Sequence, residues 1–201
     1  MEKKNKILNG VLDAREKRAS LRSQFIENNL CTLSLSLNIA GYPKSNVLIS
    51  SFFTKILTEL KPFLLANKIE VQNNKEIALT DEAGDFYIVP FLNAFQNSKK
   101  IKEICESFET NHLLGRLIDI DIFNEQGVPI SSGKKKPCYF CGEYSAISCM
   151  RNKKHTYNEI REKISNEITE YLVIKHKEFT INTLTSYASK AILYEISLSP
   201  K

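Results

Sequence analysis

Several features that would place this 201-residue chain in a special class are missing from its sequence. Seven glycines and six prolines are too few for collagen or for a low-complexity linker. No apolar run approaches the roughly 18 residues of a membrane span, and the charged start has no apolar h-region behind it. With 42% hydrophobic residues the chain is too apolar to be disordered. We therefore expect a soluble cytoplasmic protein with no membrane partner, built on one sizeable core or two small ones.

Net charge and cysteine content indicate which ligands the chain could bind and whether its cysteines form disulfides. The chain has 28 basic and 23 acidic residues, and its net charge of +5 is compatible with a phosphate-rich ligand or an acidic partner. Its basic clusters lack the interleaved aromatic residues of a base-stacking platform, so nucleic acid is not the expected partner. The five cysteines are an odd number, and without a secretion signal they predict reduced thiols or a metal site rather than disulfides.

The hydrophobic pattern mixes helical and strand periods, which predicts an α/β (α+β) fold with a short mixed sheet flanked by helices. Pro62 is expected to end or kink the second helix, which Ser45 would cap. Helices are predicted over residues 5–28, 45–61, 156–175 and from 184 onward. Strands are predicted at 30–39, in short stretches between 68 and 90, and at 114–123 with a partner at 128–131. Residues 91–104 are ambiguous between helix and strand.

The first predicted helix carries arginines within its apolar rows. Arg18 continues the row that contains Val11 and Phe25, while Arg15 and Arg22 continue a neighbouring row. A guanidinium beside a packed face needs an anionic partner, because burying an unpaired charge is costly. Two interpretations stay open: internal salt bridges with snorkelling side chains, and contacts to an anionic ligand.

Two carboxylates share one face of the predicted strand 114–123. Strand alternation places Asp119 and Asp121 on the same side, with Cα atoms about 6.5 Å apart. Such neighbours repel each other unless a cation lies between them. Their oxygens suit Mg²⁺, which usually also binds substrate phosphates, so the pattern predicts a magnesium site for phosphoryl or nucleotidyl transfer. The alternative is an exposed strand with two solvated aspartates.

The segment 138–155 has the pattern C-x2-C-x7-C-x5-H. Cys138, Cys141, Cys149 and His155 are the ligand types of a structural Cys₃His zinc site. The alternative is a set of free thiols, with His155 belonging to a basic cluster. The basic residues around this segment are Lys134, Lys135, Lys136, Arg151, Lys153 and Lys154. If the loop folds back beside the two aspartates, these residues would line a polyphosphate pocket.

Four stretches together resemble the apo-citrate lyase phosphoribosyl-dephospho-CoA transferase family. They are residues 11–18, 37–44, 112–121 and 138–155, and their order and spacing cover about residues 7–175. The run Gly-Arg-Leu-Ile-Asp-Ile-Asp at 115–121, followed by the cysteine segment, is the most specific combination. The sequence departs from the family pattern at Ala40, at Ser132 and at Asp81-Glu82.

The resemblance implies a reaction. The prosthetic group of 2′-(5″-triphosphoribosyl)-3′-dephospho-CoA would be transferred to a serine on the acyl carrier subunit of citrate lyase, and pyrophosphate would be released. Mg²⁺ on Asp119 and Asp121 would align the reacting groups, and Arg116 would stabilise the leaving pyrophosphate. The candidate phosphate or nucleotide contacts are Arg15, Arg18, Lys44 and Arg151. The D-x-D strand is also typical of a nucleotidyltransferase-like fold. The alternative function is a zinc-stabilised module that binds nucleic acid or protein.

The last residues carry a second resemblance. Residues 191–201 are similar to the start of the triphosphoribosyl-dephospho-CoA synthase family, which makes the substrate named above. The chain is therefore interpreted as a transferase domain at 1–178, followed by a C-terminal helix at 179–201 that would begin a truncated synthase domain. The alternative is an ordinary C-terminal helix.

Overall fold

The fold is given by a computed structural model that describes residues 2–28, 30–91, 94–131, 133, 136–142 and 145–198, with only the backbone described at 2–4, 94–97 and 178–198. This part contains five α-helices and four β-strands, which confirms the mixed α/β class. In chain order they are α1 (Glu2–Ile26), β1 (Cys31–Leu37), α2 (Val47–Ala66), β2 (Ile77–Asp81), β3 (Gly84–Phe91), α3 (Ala94–Asn111), β4 (Ile118–Phe123), α4 (Ala146–Arg151) and α5 (Tyr157–Leu198). None of these helices combines the length and the apolar character that crossing a bilayer requires.

The four strands form one sheet in the order β2-β3-β1-β4. Each neighbouring pair is antiparallel, so the expectation of a mixed sheet is corrected. At the centre, Leu35 of β1 is paired with Tyr87 of β3 on one side and with Ile120 of β4 on the other. Only β2 and β3 form a tight hairpin. The connection through α2 joins β1 to β2, and the connection through α3 joins β3 to β4. Each joins two strands that run in the same direction and are separated in the sheet by one antiparallel strand.

The two faces of the sheet differ in chemistry because side chains alternate along each strand. One face packs apolar residues such as Leu33, Leu35 and Ile120 into the main core, against helices α2, α3 and α5. The other face carries the two aspartates of β4, opposite Ser34 and Ser36 of β1. Helix α1 covers part of this second face through Phe25, which packs on Phe86 and Ile88.

Two buried charged side chains of α3 form hydrogen bonds with the backbone of β4 at the outer edge of the sheet. The Nζ of Lys102 donates to the carbonyl oxygen of Ile120 over 2.6 Å, and the backbone N–H of Ile120 donates to Glu109 Oε1 over 2.7 Å. An edge strand without such partners exposes unpaired backbone groups. These contacts fix β4, and with it the aspartates, against α3.

Three of the sequence predictions differ from the structure in detail. Asn46 caps α2 by accepting from the N–H of Ile49, while the hydroxyl of Ser45 donates to Asp85 over 3.0 Å. Helix α2 also continues through Pro62 to Ala66. Pro62 removes one backbone hydrogen bond, but the last turn of the helix still buries Leu64, and this burial offsets the loss. Helix α5 has no break near 180, which agrees with the absence of glycine and proline from 157–198.

Strand β4 starts at Ile118, four residues later than predicted. Residues 115–117 form a 3₁₀ turn beneath α3. A Cβ at Gly115 would overlap the carbonyl oxygen of Glu109, so glycine permits this close approach. The predicted partner strand at 128–131 is reduced to one bridge, between Phe123 and Pro129.

A buried polar network holds the turn that precedes β4. His112 Nδ1 accepts from the N–H of Leu114 over 3.0 Å, which places the ring proton on Nε2. The hydroxyl of Tyr171 in α5 donates to Glu59 of α2 over 2.8 Å. Burial acts to raise the pKa of Glu59, but hydrogen bonds from His112 and Tyr171 lower this pKa to about 2. The ionised carboxylate thus ties α2, α5 and the turn before β4 together.

Candidate functional site

A cavity of about 750 Å³ lies between the loop after β1, the turn before β4 and the segment around α4. Its apolar wall includes Ile39, Tyr139 and Ile160. Four basic side chains line the same space: Lys44, Arg116, Lys136 and Lys153. A cavity of this volume, apolar with a few charged groups, is typical of a site for a nucleotide-sized ligand.

Lys44 is half-buried on the loop that follows β1. Its Nζ donates to the carbonyl oxygen of Ile39 over 2.6 Å. Burial lowers the pKa of Lys44, and the positive charges of Arg15 and Arg161 lower it further. A bound anion would relieve this repulsion, so the three cations form a favourable place for phosphate.

Arg116 presents unpaired donors at the cavity. Its Nη2 donates to the carbonyl oxygen of Pro137 over 2.5 Å, whereas Nε and Nη1 are buried without a partner among the described residues. Burial lowers the pKa of this guanidinium. Buried donors are normally satisfied, so this arrangement suits an anionic ligand. Because Arg116 precedes β4 in the 3₁₀ turn, strand alternation does not fix its direction.

Lys136 joins the cavity to the aspartate face. Its Nζ lies 2.8 Å from Asp119 Oδ1 and 3.1 Å from Glu109 Oε2. Burial raises the pKa of Glu109. Burial and the neighbouring charge of Asp119 raise the pKa of Asp121. The two aspartates therefore share one face, as predicted, and the ammonium of Lys136 offsets part of their repulsion. Lys134, Lys135 and Ser132 lie outside the described residues.

Arg18 has an internal partner. Its Nε and Nη2 donate to the two carboxylate oxygens of Asp81 over 2.9 and 2.6 Å, and Nη2 also donates to the carbonyl oxygen of Gly84 over 2.7 Å. The guanidinium carbon lies 4.5 Å from the centroid of the Phe86 ring. Of the two interpretations of the arginine rows, the internal salt bridge describes Arg18.

Replacing Arg18 by Leu is expected to lower the free energy of unfolding by about 3 kcal/mol, because it leaves a mostly buried Asp81 without its bidentate partner. Urea unfolding measures this loss, with exposed Lys17→Leu on the same helix as the matched control. A loss of ligand affinity with unchanged stability would contradict the structural role and return Arg18 to the substrate contacts.

The other predicted phosphate contacts lie in different places. Arg15 is exposed on α1, close enough for its charge to act on Lys44. Arg151 is exposed at the end of α4, outside the residues that line the cavity. Arg22 lies with its guanidinium carbon 4.5 Å from the centroid of the Phe123 ring. Of the predicted set, the cavity itself thus brings together Lys44 and Arg116.

Cys138, Cys141, Cys149 and His155 converge on one point, with their ligand atoms all within 4.8 Å of one another. The Sγ atoms of Cys141 and Cys149 are 3.7 Å apart. Tetrahedral zinc with Zn–S bonds of about 2.3 Å requires a separation of about 3.8 Å. The buried Nε2 of His155 has no partner among the described residues. The donor set therefore fits a closed, structural zinc site.

The local backbone shapes this cluster. Gly142 adopts φ +73°, and its N–H donates to the carbonyl oxygen of Cys138 over 2.9 Å, which closes the turn between the first two cysteines. The ring of Phe140 packs on His155 with centroids 4.6 Å apart. The N–H of Ala146 donates to the carbonyl oxygen of Lys136 over 3.2 Å. A metal held here would therefore also hold Lys136 and α4 at the cavity.

Sequence reasoning missed Glu109 and Arg161. Glu109 continues the buried face of α3 one turn after Cys105, a spacing that could have indicated a carboxylate with an inward role. Arg161 donates to the carbonyl oxygens of Ala40 and Pro43 over 3.0 and 2.9 Å, and so holds the loop that carries Lys44. Nothing in the sequence around Arg161 signals this contact across 118 residues or more.

Comparison with known proteins agrees with these features. Residues 6–171 match the family model CitX, described as apo-citrate lyase phosphoribosyl-dephospho-CoA transferase. The chain is 29% identical to Protein CitXG of Haemophilus influenzae over 96% of its own length and 40% of the relative's. It is 27% identical to Protein CitXG of Leuconostoc mesenteroides subsp. cremoris over 95% of its length and 41% of that relative's. The chain thus covers less than half of either relative, and the match over most of its own length shows that it belongs to the apo-citrate lyase phosphoribosyl-dephospho-CoA transferase family.

Proposed function

We propose that the chain transfers the phosphoribosyl-dephospho-CoA group of 2′-(5″-triphosphoribosyl)-3′-dephospho-CoA to a serine of the citrate lyase acyl carrier subunit. The serine oxygen would attack the α-phosphorus; a phosphodiester bond forms, the bond to pyrophosphate breaks, and the serine proton passes to a base. The observation that carries this proposal is the cavity with four basic side chains beside the two aspartates of β4.

The basic residues are assigned to the triphosphate. Arg116 has N–H groups at Nε and Nη1 without a partner among the described residues, and its charge would stabilise the departing pyrophosphate. Lys136 lies within reach of the same space and of Asp119. Lys44, on the loop after β1, adds a third positive charge to the lining of the cavity. Such fixed charges lower the barrier because they need not reorganise as negative charge moves to the leaving group.

The aspartates are assigned to the acceptor side of the reaction. The carboxylates of Asp119 and Asp121 fit Mg²⁺, which when bound would neutralise charge on the phosphates. Asp121, whose pKa is raised by burial and by Asp119, is the better candidate to accept the serine proton. Lys136 would exchange its contact with Asp119 for one with phosphate. The Cys₃His cluster is assigned a structural part, since Cys138, Cys141, Cys149 and His155 would supply all four ligands of a bound zinc and leave no position for substrate.

Three further assignments remain predictions. The nucleotidyltransferase-like topology rests on the D-x-D strand alone, and the cytoplasmic location on composition alone. The division at residue 178 falls within the continuous helix α5, and the synthase-like start at 179–201 rests on its resemblance.

The function is tested by incubating the chain with the apo carrier subunit, the triphosphate substrate and Mg²⁺, and then weighing the carrier. We expect a mass increase equal to one phosphoribosyl-dephospho-CoA group, on one serine. A carrier with that serine replaced by alanine should gain no mass. An unmodified wild-type carrier would contradict the proposal and favour a zinc-stabilised binding module.

A further inference from the structure

Large apolar side chains are exposed beside the cysteine cluster. Ile147 and Met150 of α4 are 58% and 61% exposed, and Tyr157 at the start of α5 is 60% exposed. Ile147, Met150 and Arg151 follow the i, i+3, i+4 spacing and so share one face of α4. Cys149 lies on the opposite side and is buried. The cluster therefore anchors a short helix that displays apolar side chains to solvent, which is typical of a contact surface.

Positive charge surrounds these apolar residues. Arg151 and Lys153 are exposed and follow directly after the apolar residues of α4 in the chain. The neighbouring Glu159 is occupied in capping α5, where it accepts from the N–H of Thr156 over 2.8 Å. We call Ile147, Met150, Arg151, Lys153 and Tyr157 the α4 surface. Its charge is complementary to an acidic protein and repels a second copy of itself.

The α4 surface meets the cavity. Met150, Lys153 and Tyr157 belong to both, so a protein bound on this surface would cover the mouth of the cavity. In the proposed reaction the acceptor hydroxyl belongs to a protein and must reach a phosphorus inside the cavity. The acceptor protein must therefore rest on the rim, where the α4 surface offers both apolar and basic side chains.

We infer that the α4 surface is the docking site for the acceptor carrier protein, which would present an acidic face with an apolar strip. This inference rests on the proposed function and adds the place where the partner binds. It also gives Arg151 a role, in contact with the carrier rather than with the nucleotide.

The inference is tested with Ile147→Glu and Arg151→Glu, neither of which alters a residue that lines the cavity. We expect each to raise the KM for the carrier about tenfold and to leave the KM for the triphosphate substrate within about twofold. The matched controls are Leu65→Glu, at an exposed leucine of α2, and Lys75→Glu, at an exposed lysine just before the edge strand β2. Zinc content equal to that of the wild type shows that α4 is still held.

Direct binding separates this inference from the proposed function. Fluorescence anisotropy of a labelled carrier, with its acceptor serine replaced by alanine, reports docking even if transfer fails. The docking site is supported if Ile147→Glu weakens carrier binding about tenfold. It is also supported if Arg151→Glu weakens binding and Arg151→Lys, which keeps the positive charge, binds the carrier more tightly than Arg151→Glu does. A carrier affinity within about twofold of wild type in both glutamate variants overturns it. A rise in the substrate KM alone for Arg151→Glu overturns it in favour of a nucleotide contact.

Discussion

Replacing Asp119 by Asn is expected to lower the transfer rate by roughly a thousandfold or more while the fold stays intact. An amide is a poor ligand for Mg²⁺, so the variant loses the charge that organises the reaction. The fold should persist because the Asp119 side chain is 33% exposed and Lys136 keeps its contact with Glu109. The rate is measured by the mass of the carrier over time, and the fold by thermal unfolding.

The same variant separates a metal role from a purely electrostatic one. If Asp119 binds Mg²⁺, raising the Mg²⁺ concentration should recover part of the transfer rate of Asp119→Asn. The Mg²⁺ concentration that gives half of the maximal rate should be higher for the variant than for the wild type. Asp13→Asn on the exposed side of α1 removes the same charge elsewhere and should leave both quantities unchanged. A rate for Asp119→Asn within about threefold of wild type would contradict the magnesium hypothesis, because loss of a catalytic metal ligand costs several kcal/mol.

Local periodicity explains which parts of the site were accessible from sequence. The strand repeat of two residues places Asp119 and Asp121 on one face whatever the rest of the chain does. The spacing of Cys138 and Cys141 likewise requires only a tight turn. Arg18 interrupts an apolar row, and that interruption predicts an anionic partner, which in the structure is Asp81. These features could be predicted because short stretches of backbone determine them.

Tertiary contacts determine the other parts of the site, and the periodicity of the sequence does not predict such contacts. The cavity exists because Arg161 of α5 holds the loop of Lys44, and because α3 and the turn before β4 close against each other. The direction of the Arg116 side chain depends on the 3₁₀ turn at 115–117, a stretch that the sequence predicted to be part of the strand 114–123. Glu109 gains its role only when Lys136 returns from a loop 27 residues later in the chain. The sequence therefore predicts the two aspartates, and Lys136 beside them if its loop folds back, but it does not predict Glu109, the second partner of Lys136.

Replacing Cys149 by Ser is expected to remove zinc from the chain and to abolish transfer, while the sheet remains folded. Structural zinc contributes roughly 10–16 kcal/mol of apparent binding free energy to segments that do not fold alone. The segment at stake supplies Tyr139, Lys136 and Met150 to the cavity wall. The sheet should persist because its main hydrophobic core is built from the strands and helices α2, α3 and α5, while this segment adds the partly buried Tyr139.

Three measurements together define the outcome for Cys149. Elemental analysis should find one zinc per wild-type chain and much less in the variant. Hydrogen exchange should lose protection around α4 and keep it in β1 and β3. Cys105→Ala, at a buried cysteine of α3 outside the cluster, should lose stability but keep its zinc. A transfer rate equal to that of the wild type in a zinc-free Cys149→Ser variant would contradict the structural role of zinc. In that case Lys136 and α4 would take their positions at the cavity without the metal.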